Sequence, residues 1–275
     1  MRDFTLAIYC FIDDLLQKAI PQYCDKRRKL NDAQIITTVI VGARYFYGNQ
    51  ASACLYMKDH WGFAMPDKSN FNRILHRLSD VISHLFYHLA AVFKHLNLES
   101  VYIIDSCPVA VCKNIRISRS KLLKGEEYRG YNASKREYFY GLKVHMITTG
   151  TGVPVEFLVT PGRVHDNTAF QSMDLNLPEN SHLYGDAAYL NGEMKELLWE
   201  FQQIRLKVAT KKNSKQPNTW AEELENEYYR KPIENKFSEI TAWFPKKIHA
   251  VTIQGFLLKL LIAIIAKILH DYFNN

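Results

Sequence analysis

The chain has few cysteines and they form no pattern. Cys10, Cys24, Cys54, Cys107 and Cys112 are scattered, odd in number, and include no Cys-x-x-Cys pair. That excludes a disulfide framework and a zinc knuckle, and it fits a reducing cytoplasm. Cys107 reads as a small buried thiol. The first residues make a poor signal peptide, because Asp3, Asp13 and Asp14 interrupt their apolar positions. The most apolar stretch, Val251 to Phe273, contains Lys259, Lys267, His270 and Asp271 and has no run of 18 uncharged residues. A buried helix closing the core is expected there, not a membrane span. No internal repeat, low-complexity tract or heptad seam occurs, so neither a solenoid nor a coiled coil is expected.

Acidic residues are scarce in two places. Lys plus Arg exceed Asp plus Glu by 35 − 28 = 7, and the excess is concentrated. Cys112 to Lys143 holds nine Lys or Arg against three Glu, and Arg205 to Lys215 holds five basic residues and no acid. Clustered cations suit a phosphate-rich partner such as a nucleic acid.

Residues 1 to about 95 read as helical. Asn31-Asp32 offers a cap before Ile35, Ile36, Val39 and Ile40, and Gly48-Asn49 breaks the pattern. A short segment, Ala51 to Lys58, follows. Pro66-Asp67-Lys68-Ser69 then introduces a helix over Asn70 to Leu85, with Phe71, Ile74, Leu75 and Leu78 as its apolar stripe. Its other face shows Arg73, His76 and Arg77. Helix, turn, short helix, turn and polar-faced helix are compatible with a helix-turn-helix.

From residue 100 the texture changes. Val101-Tyr102-Ile103-Ile104-Asp105 suits a central strand, and the basic segment 112–136 reads as a long loop. Tyr138 to Thr149 and Val153 to Pro161 are strands joined by the hairpin signal Gly150-Thr151-Gly152. His165-Asp166-Asn167 starts a short helix, with Asp166 or Asn167 as its cap. His182 to Asp186, a helix over Leu190 to Gln203, a strand over Ile204 to Ala209 and a basic loop from Lys211 to Asn218 follow. Thr219-Trp220-Ala221-Glu222 matches a capping box, and Pro232 is expected to start a new helix. Hairpin plus helical crossovers imply a mixed five-stranded sheet flanked by helices.

Three carboxylates stand at element ends: Asp105, Asp186 and Glu234. Buried carboxylates need hydrogen bonds, water or a cation. Three that converge could hold two divalent ions about 4 Å apart, as phosphodiester chemistry requires. Mg²⁺ or Mn²⁺ suits an all-oxygen ligand set. His145 alternates with Leu142, Val144 and Met146, so a packed or hydrogen-bonded histidine is expected there.

Five motifs in order carry a resemblance: Ile104-Asp105-Ser106-Cys107-Pro108-Val109, Tyr140-Gly141-Leu142-Lys143-Val144-His145, Pro161-Gly162-Arg163-Val164-His165-Asp166, Tyr184-Gly185-Asp186-Ala187-Ala188-Tyr189 and Arg230-Lys231-Pro232-Ile233-Glu234. Together, over about residues 100–245, they resemble bacterial insertion-sequence transposases of the DDE type, which have an RNase H-like core. The resemblance implies an α/β fold with an N-terminal helical DNA-binding domain at 1–97. An RNase H-like catalytic domain would span 98–275, including the basic loop and the C-terminal helix. It implies Asp105, Asp186 and Glu234 as catalytic and metal-binding residues, with two Mg²⁺ or Mn²⁺ ions. Arg230 matches the arginine of a Tyr-Arg-Glu-Lys signature and looks like a DNA-phosphate contact. The signature is incomplete, since Glu227 stands at the tyrosine position and Thr241 at the lysine position, and Lys236 or Lys246 would have to substitute. His165 is expected in a supporting or DNA-contact role. Further DNA contacts are expected from Arg73, Arg77, Arg119, Lys121, Lys124, Arg129, Lys143, Lys211, Lys212 and Lys236.

The implied activity is metal-dependent cleavage and strand transfer at the ends of a mobile element. The implied partner is DNA, with at least a dimer on it and no membrane; the implied location is the bacterial cytoplasm, at the nucleoid. A structure-specific endonuclease of the same fold, and a DNA-binding regulator with an unused site, are the alternatives.

Overall fold

In the computed structural model, residues 1–19, 28–112, 114–132, 135–210, 217–244, 248 and 250–274 are described. Side chains at 19, 232–236 and 274 lie outside that description. The chain divides into two compact units, Met1–His88 with Ala242–Asn275, and Leu89–Thr241.

The first unit is helical. It contains α1 (Arg2–Ala19), α2 (Asp32–Tyr45), α3 (Gln50–Trp61) and α4 (Lys68–Arg77), the start of α5 (Ser79–Leu96), the end of α8 (Trp220–Trp243), and α9 (Ile253–Asn274). Their starts follow local capping chemistry. Asn31 accepts from Gln34 N–H at 2.7 Å while the Gln34 side chain accepts from Asn31 N–H at 2.9 Å, a reciprocal capping box. Asn49 caps α3 and Asp67 caps α4 through two backbone N–H groups each. The helix expected over 70–85 is two helices, because the chain turns at Leu78, whose φ and ψ of −90° and 7° leave the helical region. The polar face of α4 is as expected: Arg73, His76 and Arg77 are exposed and Phe71, Ile74 and Leu75 are buried.

The C-terminal stretch is the buried helix anticipated. By length and composition, Ile253–Phe273 could cross a membrane, but 72% of its most apolar stretch is buried in the protein. Its Lys267 ammonium is paired with Asp271 one turn on, at 2.6 Å. The sequence reading grouped α9 with the sheet; in the structure it packs on α1 and α2.

The second unit holds a six-stranded mixed sheet. β1 (Val101–Cys112) is antiparallel to β3 (Glu137–Thr149) and parallel to β5 (His182–Gly185), which is parallel to β6 (Arg205–Val208). β4 (Pro154–Pro161) forms the expected hairpin with β3. These are the five strands anticipated. The sixth, β2 (Arg129–Asn132), pairs with the start of β3 on the edge that β4 occupies further along. The segment read as a long loop therefore carries structure: 3-10 turns at Asn114–Arg119 and Glu126–Tyr128, then β2. β2 itself, Arg129-Gly130-Tyr131-Asn132, has no β-branched residue, unlike the longer strands β1, β3 and β4.

Tyr102, Ile103, Ile104, Val144, Met146, Leu183 and Tyr184 are almost wholly buried at the centre of the sheet. Burying each large side chain contributes on the order of 1.5–3 kcal/mol. α6 (Asp166–Gln171) follows β4, and α7 (Gly192–Gln202) precedes β6. The cap position of α6 is His165 and not the expected Asp166 or Asn167; its side chain makes no capping hydrogen bond.

Candidate active site

The register of β1 and β5 fixes where two carboxylates stand. Ile103 is the last residue paired with β5, opposite Tyr184, and Asp105 on β1 and Asp186 just past β5 each lie two residues beyond that pair. Asp186 follows the end of β5 as expected. Asp105 does not end its strand: β1 continues to Cys112, held by β3 through pairs such as Asp105 with Met146 and Pro108 with Lys143. What ends at Ile103 is the pairing with β5, and that opens the edge beside Asp105. Gly185 permits this junction. A Cβ there would lie 2.9 Å from the Ile104 side chain and 3.3 Å from the Tyr189 ring.

Both carboxylates are hydrogen-bonded by local backbone. Asp105 Oδ1 accepts from Ser106 N–H at 2.7 Å. Asp186 Oδ1 accepts from Ala188 N–H at 2.9 Å and so caps the 3-10 turn Ala187–Tyr189. These bonds favour ionisation but do not win. Burial pushes the Asp105 carboxyl up to about 6, with the charges of Asp186 and Asp166 adding to the rise and Ser106 N–H and Arg230 opposing it. Burial also raises Asp186, against the Ala188 N–H and Arg230. Cys107, beside Asp105, is the inert buried thiol expected: burial first, then the Asp105 charge, hold it up at about 12.

A third carboxylate joins these two. Asp166 Oδ1 accepts from Ser106 Oγ at 2.9 Å and from Lys143 Nζ at 3.2 Å. Lys143 also donates to the Val164 carbonyl at 3.0 Å. An ammonium expected on DNA is thus committed to Asp166 and its loop. His145 is fully buried; its Nε2 shares a hydrogen bond with Thr160 Oγ1 at 3.0 Å, while Nδ1 is 3.6 Å from Asp166 Oδ1, too long for one. His145 is thus the packed and hydrogen-bonded histidine anticipated, and burial holds its pKa well below the ordinary histidine value.

Tyr189 closes the cluster from the side of α6. Its ring meets Phe170 edge-on at 5.8 Å, and its hydroxyl is buried. Burial raises its pKa strongly, followed by the charges of Asp166 and Asp105. Ser106 is close enough to influence the phenol, but its hydroxyl donates to Asp166, and the Tyr189 hydroxyl has no properly formed hydrogen bond among the described residues.

α8 brings the remaining groups. It does not restart at Pro232: the helix is continuous from Trp220 to Trp243. A proline inside a helix removes one backbone bond, and the turns on either side, begun by the Thr219–Glu222 capping box, carry the helix through. Position 234 therefore lies well inside α8, not in a first turn. It sits four residues beyond Arg230, so the two positions share a helix face. The Glu234 and Lys236 side chains lie outside the described residues, as do Lys211 and Lys212 entirely. The charge of Arg230 is near enough to oppose the rise at both Asp105 and Asp186. Glu225 fixes the helix to the sheet: Tyr184 Oη donates to its Oε1 at 2.7 Å and Lys207 Nζ at 2.6 Å.

Other residues named from sequence stay on the surface. Arg119, Lys121, Lys124 and His165 are exposed, and Arg129 is exposed but hydrogen-bonded through two nitrogens to Glu126. Arg73 and Arg77 belong to the first unit. Sequence reasoning assigned no site role to Ser106 or Tyr189, and took His165-Asp166 only as a motif with a supporting or DNA-contact role or as a helix cap, although all of them lie inside the quoted motifs. Pairing of Ser106 with His145 across the sheet is what brings Asp166 in.

Among the described residues, no group of three His, Cys, Asp or Glu is placed to hold a metal ion. The donor set nevertheless fits a hard divalent cation. The carboxylates are oxygen ligands whose burial and mutual repulsion leave negative charge poorly compensated, and a cation would relieve it.

A family model described as Transposase DDE domain matches residues 96–239, just over half of the chain. No curated protein and no solved structure matches it.

Proposed function

The chain belongs to the DDE transposase family, and on that premise we propose that Asp105, Asp186 and Glu234 are the carboxylates that cut and join DNA at the ends of its own mobile element. The observation that carries this reading is the placement of Asp105 and Asp186, each two residues beyond the last β1–β5 pair, with the charge of Arg230 of α8 near enough to act on both.

Asp105 and Asp186, with Glu234 from the Arg230 face of α8, would hold two Mg²⁺ or Mn²⁺ ions. Bound there, the ions supply Lewis acidity at the phosphate and a more acidic attacking oxygen. In the first step a water oxygen attacks the phosphorus at the element end and the P–O3′ bond breaks, freeing a 3′-hydroxyl. In the second, that hydroxyl attacks a target phosphorus and the target's own P–O3′ bond breaks. No protein nucleophile is consumed. Arg230 neutralises a phosphate near the reacting one, and the exposed cations Arg119, Lys121 and Lys124 hold phosphates further along. In the first unit, Arg73 and Arg77 on the exposed face of α4 contact the recognition sequence. Bringing two ends together requires at least a dimer on DNA.

The test compares wild type with Asp105→Asn, Asp186→Asn and Glu234→Gln on a duplex carrying the element end. Each variant is expected to keep DNA binding and to lose Mg²⁺-dependent cleavage by about a hundredfold to a thousandfold or more, from the scale of removing an electrostatic stabiliser upward. Wild-type cleavage by Glu234→Gln would remove that residue from the reading.

A further inference from the structure

The basic segment between β1 and β3 carries a feature that its charges do not explain. Tyr131 on β2 and Tyr138 on β3 are directly paired across the ribbon, with ring centroids 5.0 Å apart and planes tilted by 54°. Cross-strand aromatic pairs commonly stabilise hairpins by shielding one another. Here the shielding is poor, since Tyr131 is 50% and Tyr138 64% exposed. The 3-10 turn beginning at Asn114 is fastened beside them, through Asn114 Nδ2 donating to the Tyr138 carbonyl at 2.8 Å. That turn adds Ile115, 87% exposed, and the exposed Arg116 and Arg119. Arg136, in the turn just before β3, adds a further exposed cation.

Exposed aromatic faces among cations match the chemistry of unpaired nucleic acid. Rings stack on bases whose faces are open, and guanidinium groups neutralise the phosphates between them. An intact duplex offers base edges in its grooves and keeps the faces stacked. The location is distinct from the carboxylates. Tyr138 is eight residues along β3 from Met146, the partner of Asp105, which is about 27 Å at 3.4 Å per residue. That span corresponds to about eight base pairs of B-DNA.

We propose that the β2–β3 ribbon is a single-stranded DNA contact, in which Tyr131 and Tyr138 stack on bases released from pairing and Arg116, Arg119 and Arg136 hold the adjoining phosphates. The inference rests on DNA as the partner of this family and is independent of which carboxylates cut it.

The experiment uses the full chain carrying Asp105→Asn, without divalent cations, so that nothing is cleaved. Binding of a fluorescein-labelled oligonucleotide, single-stranded or annealed, is followed by anisotropy across salt concentrations. Tyr131→Thr/Tyr138→Thr keeps strand-favouring residues and removes both rings. It is expected to weaken single-strand binding by roughly tenfold or more, the scale of a lost stacking contact, and duplex binding by less than about twofold. Tyr131→Phe/Tyr138→Phe should restore single-strand binding to within about twofold. The slope of log affinity against log salt should stay unchanged, because no charge is lost; Arg116→Ala/Arg119→Ala should reduce it. Unaltered single-strand binding by the threonine variant overturns the proposal. So does equal loss on single strand and duplex. A change in oligomeric state with unchanged DNA affinity would instead make the tyrosines a contact between copies. Retained duplex binding in the tyrosine variants keeps failure here separate from failure of the DNA-partner reading.

Discussion

Asp105 on β1 and Asp186, just past the end of β5, each lie two residues beyond the paired Ile103 and Tyr184. The fold thus concentrates negative charge in a partly buried place. The Asp105 carboxyl, raised from 3.8 to about 6 chiefly by burial, favours its protonated form in the folded state. The stability it contributes is complete below the unfolded value and is lost as pH rises through about 6. In the absence of divalent cations, Asp105→Asn should therefore be more stable than wild type at pH 7, by at most about 3 kcal/mol. The difference should vanish below about pH 4, where wild type is protonated in both states. Denaturant titrations in chelator at the two pH values measure it. An asparagine variant no more stable than wild type at pH 7 would mean that the carboxylate is not held there at a cost.

The same shift sets the pH dependence of metal binding. A divalent cation binds the ionised carboxylate and competes with its proton. Mg²⁺ affinity is expected to fall by up to about tenfold per pH unit below about 6 and to level off above it, given the raised Asp105 carboxyl. Calorimetry in two buffers of different ionisation enthalpy should detect proton release near pH 6 and little at pH 8. Equal affinity at pH 5 and pH 7 would exclude Asp105 as a ligand.

α8 owes its position partly to Glu225, which accepts from both Tyr184 and Lys207. Tyr184 lies two residues before Asp186, and Glu225 five residues before Arg230. One hydrogen-bonded group therefore ties the helix to the strand that carries a carboxylate. Tyr184→Phe keeps the buried ring and its contact with Tyr229 at 4.6 Å but removes the donor. It should cost about 0.5–1.5 kcal/mol in denaturant unfolding. Mg²⁺ affinity, read by calorimetry, should weaken as well, because the helix that carries position 234 loses an anchor. Unchanged stability would show that Lys207 alone suffices to hold Glu225.

The legible parts of the sequence are those governed by short-range rules. Asn31, Asn49 and Asp67 cap helices because their side-chain oxygens reach the next free N–H groups, a relation visible at spacings of two and three residues. Five of the strands were legible from β-branched and aromatic runs, and Asp186 from its place after one of them. Three features were not. Pro232 reads locally as a helix start, whereas its neighbours on both sides keep α8 intact. β2, Arg129-Gly130-Tyr131-Asn132, has no β-branched residue and is fixed by its pairing with β3. Asp166 reads as a cap, and only the sheet register brings it to Ser106 and Lys143. In each case a partner distant in sequence overrides the local signal.

Tyr189 gives the sharpest separation between stability and chemistry. Its hydroxyl is buried near Asp105 and Asp166 and within reach of Ser106, but Ser106 Oγ donates to Asp166 and the phenol has no well-formed hydrogen bond among the described residues. A buried hydroxyl left unpaired costs about 1–3 kcal/mol. Phenylalanine keeps the ring against Phe170 and removes only the oxygen. Tyr189→Phe should therefore leave the protein as stable as wild type or more stable, by about 1 kcal/mol, in denaturant titrations without metal. If the hydroxyl orients a water or a 3′-hydroxyl among the carboxylates, the same variant should cleave the element-end duplex roughly tenfold to a hundredfold more slowly while binding it normally, the usual scale for losing an oriented hydrogen bond. A variant that is more stable and equally active would show that the hydroxyl takes no part in the reaction. A less stable one would show that the resting protein already satisfies it.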